Sequence, residues 1–414
     1  MSRFEGKRIL IGLCGGIAAY KACDIIRQLY REGAETVQIV MTKSAQAFVT
    51  PLTLETLSQN PVLTESLENT TDGVPIHIAL AQDFDVFLIL PATANTVAKL
   101  AHGMADDLLS TTAITFTNEP ILLAPAMNGR MWANPIFQEN LEKFVALPWV
   151  DVVPPEWGAL ACGETSEGKL AQQETILAYL YRMLSTPHYL NQKIVVTAGG
   201  TAEPIDAVRY MTNRSSGKMG LTLADEAWAM GADVTLIHTI PELPARPYET
   251  QFVRTVEEMA NATHQAFEAA NALFMTAAVS DFKALHPETQ KIKKQETLEI
   301  ALEKTRDILT ELGERKRTGQ LLIGFAAESQ VNKAVLQDKL QRKNLDFLAC
   351  NDISRADIGF GASHNEIHLL TASGEELHLP KAEKTMIARE LLRRVATSFS
   401  EQANKQQLAA ATTH

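Results

Sequence analysis

Cysteine is scarce in this chain. Its 414 residues include only four cysteines, Cys14, Cys23, Cys162 and Cys350. Their spacing matches neither a metal-binding motif nor a disulfide framework. We therefore expect free thiols in a reducing compartment, which argues against a secreted protein held together by disulfides.

An excess of basic residues and a long apolar run are also missing. The formal net charge is -11, whereas nucleic-acid binding needs clustered lysine and arginine. No window approaches the roughly 20 apolar residues of a membrane span. The apolar N-terminal segment breaks at Gly15 and Gly16, and an amphipathic pattern follows, which indicates strand, turn and helix rather than a secretory signal. We expect a cytoplasmic protein that binds neither nucleic acid nor membrane.

The chain does have enough apolar material for two cores. Hydrophobic residues make up 46% and charged residues 21%, which is the balance of a globular enzyme. The length favours two domains of about 200 residues each. No internal repeat with a period of about 20–50 residues is visible, so a solenoid or propeller is not expected.

Short apolar segments alternate with helical patterns in each half of the chain. The strand-like segments are 8–13, 36–41, 86–90, 121–124 and 150–153, then 193–197, 233–237, 272–279, 321–326 and 346–350. Helical patterns between them cover 17–31, 135–145, 217–230, 256–270 and 331–343. This alternation predicts two α/β domains, each with a mainly parallel, Rossmann-like sheet covered by helices on both faces.

A domain boundary is predicted in the segment 184–192. Pro187 is expected to end a helix, and the polar residues after it precede the first strand of the second half. We therefore assign 1–187 to the first domain and 188–402 to the second. The segment 403–414 is polar and rich in small residues, which predicts a disordered tail.

Two glycine-containing loops open helices. "CGGIAAYK" (14–21) follows the first strand, and "NRSSGKMG" (213–220) opens the first helix of the second half. Helix N-termini at strand ends bind anions, but neither loop has the spacing of a dinucleotide motif or a Walker A loop. Each loop alone is equally compatible with a tight turn.

The longer segment 197–220 carries more information than either loop. Long loops in compact domains are usually functional. This one supplies donors for an anionic ligand: Arg209, Asn213, Arg214, Ser215, Ser216 and Lys218.

Two residues with reactive side chains, His77 and Cys162, each have two possible roles. His77 lies between apolar residues in "PIHIALA", where a histidine is more often a satisfied core residue than a catalyst. Cys162 lies in the glycine-containing loop "LACGETSEGK" and is either an accessible thiol or a small buried hydrophobe.

Many motifs in one order resolve the ambiguity. The first half contains "GGIAAYK", "MTKSAQAFVTPLT", "HIALA", "PATANTVAKLAHGMADDLLS", "APAMNGRMW" and "ACGETSEGK". The second half contains "TAGGTAEPIDAVRYMTNRSSGKMG", "TAAVSDF", "KIKK", "GFAAE" and "KNLDFLACND". From about residue 7 to residue 395, the chain resembles the bifunctional phosphopantothenoylcysteine decarboxylase/phosphopantothenate–cysteine ligase family of coenzyme A biosynthesis.

The resemblance implies that the first domain is an FMN-dependent cysteine decarboxylase. A carboxylate next to an amide nitrogen has no electron sink, so the thiol must first be oxidised to a thioaldehyde, with FMN as the acceptor. His77 would serve oxidation and decarboxylation, Asn128 would bind the substrate carboxylate, and Cys162 would donate the closing proton. By motif, the residues around FMN would be Gly15, Gly16, Thr42, Ser44, Thr93, Asn95 and Asp107. Cys14 stands where the family often has Ser or Thr, which removes a hydroxyl near the flavin phosphate.

The second domain is expected to be the ligase, which makes the substrate of the first. In this family the carboxylate of 4'-phosphopantothenate is activated by CTP as an acyl-cytidylate, which cysteine then attacks. Asn213 would aid turnover of the acyl-cytidylate. The other residues expected to face phosphopantothenate are Arg209, Ser215, Ser216 and Lys218.

The same resemblance implies a CTP site, with Mg²⁺ neutralising part of the triphosphate. Its residues would be Met275, Thr276, Ala277, Asp281, Lys291, Arg306, Asp307, Ile308, Leu309, Phe325, Lys339 and Lys343. "KIKK" is otherwise typical of a solvated charge run. Where relatives often read "NPD", this chain has "TRD" at 305–307, which puts the contact of Arg306 in doubt.

Two other functions are compatible with parts of the pattern. One is a flavin decarboxylase that acts on a peptide C-terminal cysteine, but the ligase motifs argue against it. The other is a flavin-binding regulatory subunit, but the presence of His77, Asn128 and Cys162 together disfavours it. The resemblance also implies a homo-oligomer, a dodecamer built from trimers of the flavin domain and dimers of the ligase domain.

Overall fold

The computed structural model describes residues 2–64, 70–71, 73–161, 163–293, 298–328, 332–352 and 362–411. The chain divides into two compact units, Met1–Ser185 and Thr186–His414.

The first unit contains nine strands and eight α-helices among its described residues. The strands are β1 Arg8–Leu13, β2 Thr36–Met41, β3 Thr70–Thr71, β4 Val74–Pro75, β5 Val86–Ala92, β6 Ile121–Pro125, β7 Val150–Val152, β8 Glu156–Ala159 and β9 Thr165–Lys169. The helices are α1 Ala22–Arg31, α2 Pro51–Ser58, α3 Ile76–Asp83, α4 Ala94–Ala101, α5 Leu108–Thr115, α6 Gly129–Trp132, α7 Pro135–Val145 and α8 Gln173–Leu184, with 3₁₀ turns at Ile17–Lys21 and Lys43–Ala47.

Its main sheet is parallel throughout, in the order β2-β1-β5-β6-β7. Alternate residues of the central strands enter two different cores, as Ile9 and Ile11 pack on one face and Leu10 packs on the other. If only the five strands of this sheet are numbered, in chain order, they lie in the order 2-1-3-4-5. This is the flavodoxin type of doubly wound sheet. The strand order reverses between β1 and β5.

The second unit contains twelve strands and five α-helices among its described residues. The strands are β10 Lys193–Ala198, β11 Ala202–Pro204, β12 Tyr210–Thr212, β13 Asp233–His238, β14 Glu249–Phe252, β15 Ala272–Met275, β16 Phe282–Ala284, β17 Leu302–Lys304, β18 Leu321–Glu328, β19 Phe347–Asp352, β20 His364–Thr371 and β21 Glu376–Glu383. The helices are α9 Lys218–Ala229, α10 Val256–Ala269, α11 Ile308–Arg315, α12 Lys333–Arg342 and α13 Lys384–Ala411.

Its main sheet has eight strands in the order β14-β13-β10-β15-β18-β19-β20-β21. The strands from β14 to β19 are parallel, in the Rossmann order 3-2-1-4-5-6, and β20 and β21 extend the sheet antiparallel. The strand order reverses between β10 and β15. The prediction of two α/β folds with mainly parallel sheets is confirmed.

Two local predictions differ from the structure. The segment 272–279 was expected to be one strand, but β15 ends at Met275, where the chain turns: the N–H of Thr276 donates to the carbonyl of Phe274, and its hydroxyl donates to the carbonyl of Thr197. The segment 403–414 was expected to be a disordered tail, whereas α13 continues to Ala411. Alanine, glutamine and lysine in this segment are good helix formers. Residues 412–414 lie outside the described part of the chain.

None of the helices in the described residues is both long enough and apolar enough to cross a membrane.

Candidate active sites

The reversal point of the first sheet brings together three residues predicted to hold a flavin. Gly15 follows β1, and Thr42 and Ser44 follow β2. A Cβ on Gly15 would lie 2.5 Å from Ser44 Oγ and 2.8 Å from the backbone carbonyl carbon of Ser44, so only glycine allows the two loops to approach this closely. Thr42 Oγ1 lies 3.2 Å from Ser44 Oγ and donates to the carbonyl of Leu13 at 3.3 Å.

The loop after β5 lies beside the same glycines. A Cβ on Gly16 would lie 3.9 Å from Thr93 Cγ2. Thr93 caps α4 and accepts a hydrogen bond from the backbone N–H of Thr96 at 3.4 Å. Asn95 is exposed in the first turn of that helix. The starts of two helical segments therefore lie beside each other at this edge, and helix N-termini are common binding sites for anions.

Cys14 lies buried behind the glycine loop. Thr96 Oγ1 donates to its Sγ at 3.1 Å. Burial, which outweighs the other influences, raises the pKa of the thiol to about 11. Cys14 is therefore a neutral packing residue at neutral pH, and not a thiolate nucleophile.

Asp107 begins α5 and carries a negative charge near this loop. It accepts from Ser110 N at 2.8 Å and from Lys99 Nζ at 2.8 Å. Burial alone would raise the pKa of Asp107, but the hydrogen bonds from Lys99 and Ser110 outweigh it and hold the pKa below its ordinary value. Lys99 also contacts Asp106 at 2.7 Å, so Lys99 fixes both acidic residues at the helix start.

Asn128 begins α6 at the end of β6. Its Oδ1 accepts from the N–H of Arg130 at 2.9 Å, and its Nδ2 donates to Glu164 Oε2 at 3.2 Å. Glu164 belongs to the connection between β8 and β9, so this hairpin lies against the Asn128 loop. Cys162 occupies the same connection but lies outside the described residues.

His77 lies in α3 and contacts a different element. Its carbonyl accepts from Thr115 Oγ1, in α5, at 3.1 Å. Its Nδ1 is buried and has no hydrogen-bond partner among the described residues. Within the described chain no hydrogen bond joins His77 to Asn128 or to the glycine loop. A buried imidazole nitrogen without a partner is uncommon in a purely structural histidine.

The second sheet carries a cavity of about 770 Å³ at its reversal point, between the loops that follow β10 and β15. Among the predicted residues, those that line it are Asn213, Ser215, Ser216, Lys218, Met275, Thr276, Ala277, Asp281, Arg306, Asp307, Ile308, Leu309, Phe325, Lys339 and Lys343.

The loop before α9 is shaped by two glycines. Gly217 caps the helix with a positive φ of 71°, which only glycine adopts without strain. A Cβ on Gly220 would lie 2.7 Å from the carbonyl oxygen of Thr197, so α9 packs directly on β10. The helix start and the side chain of Ser215, which accepts from Gly217 N at 3.4 Å, thereby face the cavity.

The cavity is basic, although the chain as a whole is acidic. Its lining includes Lys218, Lys304, Lys339, Lys343, Lys384, Arg214 and Arg306, whereas the acidic lining residues are Asp281 and Asp307. Burial, followed by the nearby charge of Lys218, lowers the pKa of Lys384. Lys343 Nζ lies 2.7 Å from Asp307 Oδ1. Seven cations against two carboxylates form a site for a polyanion.

The charge of Arg306 is already compensated by its neighbours. Its Nη2 lies 2.6 Å from Glu311 Oε2 and its Nη1 lies 2.8 Å from Glu257 Oε1. His264 Nε2 contacts Glu311 at 2.9 Å. The hydrogen bond from Arg306, the largest influence, lowers the pKa of Glu311 to about 2. Arg306 is therefore held at the cavity wall by carboxylates.

Arg209 and Lys291 are the predicted site residues that are not in the cavity lining. The segments that contain these two residues are instead both bonded to Asp206. Buried Asp206 accepts from the N–H groups of Arg209 and Ile292, at 2.7 Å and 3.1 Å. Arg209 Nη1 also lies 3.4 Å from Asp206 Oδ2. The segment with Lys291 is thus fixed beside the segment with Arg209.

Comparisons with known proteins give the family. Residues 2–185 match the family model described as "Flavoprotein", and residues 189–399 match "DNA/pantothenate metabolism flavoprotein C-terminal domain". The coenzyme A biosynthesis bifunctional protein CoaBC of Vibrio cholerae is 38% identical over 395 residues, covering 94% of this chain and 97% of that protein. CoaBC of Bacillus subtilis is 38% identical over 398 residues, covering 95% and 97%. This chain belongs to the CoaBC family.

Membership of the CoaBC family confirms the predicted class of protein. It is a bifunctional enzyme of coenzyme A biosynthesis, with a flavoprotein decarboxylase half and a ligase half, rather than a peptide decarboxylase or a regulatory subunit. Among solved structures, the C-terminal domain of a CoaBC protein is 33% identical, covers 52% of this chain and 100% of that chain, and superimposes with a TM-score of 0.45.

Six polar residues of the cavity lining were not predicted from the sequence: Ser280, Lys304, Thr305, Asn351, Asn365 and Lys384. Asn351, Asn365 and Lys384 line the cavity from β19, β20 and the start of α13. Asn351 ends the motif "KNLDFLACND" at the carboxyl edge of a parallel strand, a position that could have marked it. Asn365 and Lys384 carry no such signal, because Asn365 lies in the antiparallel strand β20 and Lys384 lies at the start of a helix that follows an antiparallel strand.

Proposed function

We propose that the cavity of the second unit binds CTP and 4'-phosphopantothenate together and is the ligase site. The observation that carries this proposal is the charge of the lining, with seven basic and two acidic residues at the reversal point of the sheet. A triphosphate and a phosphorylated carboxylate are both polyanions, and open α/β sheets bind such ligands at this point. A volume of about 770 Å³ lies within the usual range of small-molecule sites.

The proposed reaction has two steps. A carboxylate oxygen of 4'-phosphopantothenate attacks the α-phosphorus of CTP, a P–O bond forms, and pyrophosphate leaves. The cysteine amine then attacks the acyl carbon, and CMP leaves as the amide forms. Negative charge develops on the phosphorus oxygens and later on the acyl oxygen, so fixed donors lower both barriers.

Individual residues of the cavity are suited to different steps of this reaction. The basic side chains of Lys218, Lys339 and Lys343 are suited to the phosphates. The Asn213 amide, held between two loops, is suited to the acyl-cytidylate. Arg306 is better suited to supporting the wall than to a direct phosphate contact, because Glu311 and Glu257 occupy its donors. Mg²⁺ is expected to accompany CTP and neutralise further charge.

We propose that the first unit binds FMN at the reversal point of its sheet. Flavodoxin-type sheets bind FMN at this point. The residues fit the group: glycines at 15 and 16 keep side chains out of the approach, the hydroxyls of Thr42 and Ser44 lie beside them, and α4 begins nearby. When bound, FMN supplies the two-electron acceptor that oxidises the substrate thiol and returns the electrons after decarboxylation.

The protein side chains carry the rest of the decarboxylation. Asn128, ordered by Glu164, orients the substrate carboxylate through its amide. His77 accepts a proton from the thiol during oxidation, and its buried Nδ1 is available for such a transfer. The thioaldehyde then accepts the electrons released with carbon dioxide. Cys162 donates the proton that closes the sequence.

The two proposed reactions define the substrates and products, and the proposed assembly concerns the decarboxylase site. The chain is proposed to consume 4'-phosphopantothenate, cysteine and CTP, and to release 4'-phosphopantetheine, carbon dioxide, CMP and pyrophosphate. A homo-oligomer, a dodecamer of trimers and dimers, would bring His77 of one copy to the flavin of another. The buried Nδ1 of His77, which has no hydrogen-bond partner among the described residues, is the observation that motivates a shared site of this kind.

The proposal is tested by assigning each activity to its unit. Purified protein should be yellow and should release FMN rather than FAD on denaturation, because no sequence resembles an adenine half-site. Cys162→Ser should release carbon dioxide yet accumulate the unreduced enethiol, while CTP-dependent pyrophosphate release stays normal. A normal yield of 4'-phosphopantetheine from this variant would show that Cys162 is only structural.

A further inference from the structure

The outer face of the β20–β21 hairpin carries two histidines and two glutamates. His368 and His378 are directly opposed in the antiparallel register. Glu366 precedes His368 by two residues and Glu376 precedes His378 by two, so all four project from the same face.

The side chains on the opposite face of β20 are buried in the second unit. Asn365, Ile367 and Leu369 alternate with the outer residues and are buried. The buried side chains anchor the hairpin at the edge of the sheet, and the outer side chains project from its other face. A β-bulge opposite Glu366 interrupts the register between Asn365 and Ile367, and bulges re-aim neighbouring side chains.

Three of the outer side chains converge at their polar ends. One ligand atom from each of Glu366, His368 and His378 lies within 4.8 Å of the others. The two imidazole rings stack with centroids 4.7 Å apart, and His378 Nε2 lies 3.1 Å from Glu366 Oε1.

We propose that Glu366, His368 and His378 form a site for a divalent transition metal of the Zn²⁺ class. Two imidazoles and one carboxylate are a borderline-soft donor set that suits Zn²⁺, whereas Mg²⁺ prefers oxygen donors. Ligand atoms around Zn²⁺ lie roughly 3.3 Å apart, so small side-chain rotations bring the present cluster to that spacing. Three protein donors leave a fourth position for water or another ligand.

The fourth side chain of the face orients the site. His368 Nδ1 lies 3.8 Å from Glu376 Oε1. Glu376 is itself fixed by Lys333 Nζ, at 2.9 Å from its Oε2. A carboxylate behind a histidine ligand sets the ring orientation and raises its basicity. Glu376 is therefore a positioning residue and not a fourth ligand.

The metal would tie β20 to β21 next to the ligase cavity. Glu366 directly follows Asn365, which lines that cavity from the other face of the strand. The metal site is distinct from the Mg²⁺ expected with CTP, because its ligands lie on the outer face of the hairpin. Its existence does not depend on the proposed function.

The test is Zn²⁺ binding to the full-length, tag-free chain after chelator treatment. Competition with a chromophoric zinc chelator gives affinity and stoichiometry, and Co²⁺ substitution gives d–d bands that report nitrogen and oxygen ligands. We expect one Zn²⁺ per chain and a Zn²⁺-dependent rise in the thermal midpoint of the wild type. His368→Ala, His378→Ala and Glu366→Gln should each weaken binding by more than about tenfold.

His286→Ala is the matched control, since His286 is an exposed histidine of the same unit outside the cluster. It should bind Zn²⁺ like the wild type. Wild-type protein that binds no Zn²⁺ would overturn the proposal and leave a cross-strand ion pair in its place. Binding that survives all three cluster variants, or that His286→Ala weakens equally, would overturn it as well. Glu366→Gln retains the shape of the side chain, so its loss of binding cannot be attributed to misfolding.

Discussion

Asn213 donates from Nδ2 to the carbonyl of Val279 at 3.1 Å, and to that of Ala278 at 3.3 Å. These bonds join the loop before α9 to the loop after β15, which are distant in sequence and face each other across the reversal point. Both loops line the basic cavity. The amide therefore fixes the distance between the two walls of the proposed ligase site.

Asn213→Ala should slow the ligase by roughly a hundredfold, because small displacements of reacting groups cost about that much. Asn213→Asp should be equally slow, since a carboxylate cannot donate to the two carbonyls. The measurement is CTP-dependent pyrophosphate release, with amide formation followed in the same samples. An active Asn213→Asp variant would show that the donated hydrogen bonds are not required.

Gly15→Ala should destabilise the first unit even without flavin. The new Cβ would lie 2.8 Å from a backbone atom of Ser44, and overpacking of this kind costs about 1–3 kcal/mol. Gly16→Ala is the matched control, because its Cβ would lie 3.7 Å from the nearest atom, Pro91 Cγ. Urea unfolding of the flavin-free proteins compares them. Equal midpoints for the two variants would refute the close packing of Gly15 on Ser44.

The family resemblance implies that Lys291 contacts CTP, although Lys291 lies outside the cavity lining in this structure. Lys291→Gln should therefore slow the ligase by about 10²–10³, the usual cost of removing one cation that stabilises a charged transition state. Decarboxylation of supplied phosphopantothenoylcysteine should continue, because each unit has its own core. Lys293→Gln, two residues along the same exposed segment, is the control and should retain both activities. Equal losses of ligase activity in the two lysine variants would show that the segment acts only through its overall positive charge.

Arg306→Gln should change the acid sensitivity of folding. In the folded chain the hydrogen bond from Arg306, the largest influence, and the hydrogen bond from His264 together lower the pKa of Glu311 from 4.5 to about 2. This depressed pKa contributes stability that is fully present above the unfolded value and is lost as the pH falls from 4.5 toward 2. In the variant the pKa of Glu311 rises, so the wild type should be more stable at neutral pH and should lose that advantage on acidification.

Thermal midpoints of wild type and Arg306→Gln across this pH range check the prediction. Arg315→Gln, a change at an exposed arginine of α11, the helix that contains Glu311, should have the same thermal midpoint as the wild type at every pH. A wild-type advantage that stays constant down to the lowest accessible pH would mean that Glu311 does not titrate against Arg306.

The parallel strands inside the two sheets could be predicted from sequence because both of their faces are buried, whereas the parallel edge strand β14 is exposed along its length and was not predicted. Segment 8–13 is apolar throughout apart from its first residue, and β1 has those bounds. Strands β20 and β21 were not predicted. They alternate polar and apolar residues at the edge of the sheet, where a strand resembles a loop. The end of β15 was not predicted either, because the turn there includes a hydrogen bond from Thr276 to a distant residue of β10.

The candidate sites were predictable where a motif follows a parallel strand. The loops with Gly15 and Ser215 are of this kind, since the carboxyl ends of parallel strands meet at one edge. Contacts between distant segments were not predictable. Arg306 belongs to a motif, but Glu257 and Glu311, which occupy its guanidinium, are set by the packing of α10 and α11. The bonding of the segments with Arg209 and Lys291 to Asp206 has the same origin.

The central claim is that one chain makes phosphopantothenoylcysteine and then decarboxylates it. The most direct measurement supplies 4'-phosphopantothenate, CTP, Mg²⁺ and cysteine labelled at its carboxyl carbon, and follows the label, CMP and pyrophosphate. We expect the label to appear in carbon dioxide, in equal amounts with 4'-phosphopantetheine, CMP and pyrophosphate, and only when CTP is present. Label that remains in an amide product, or carbon dioxide release without CTP, would contradict the account.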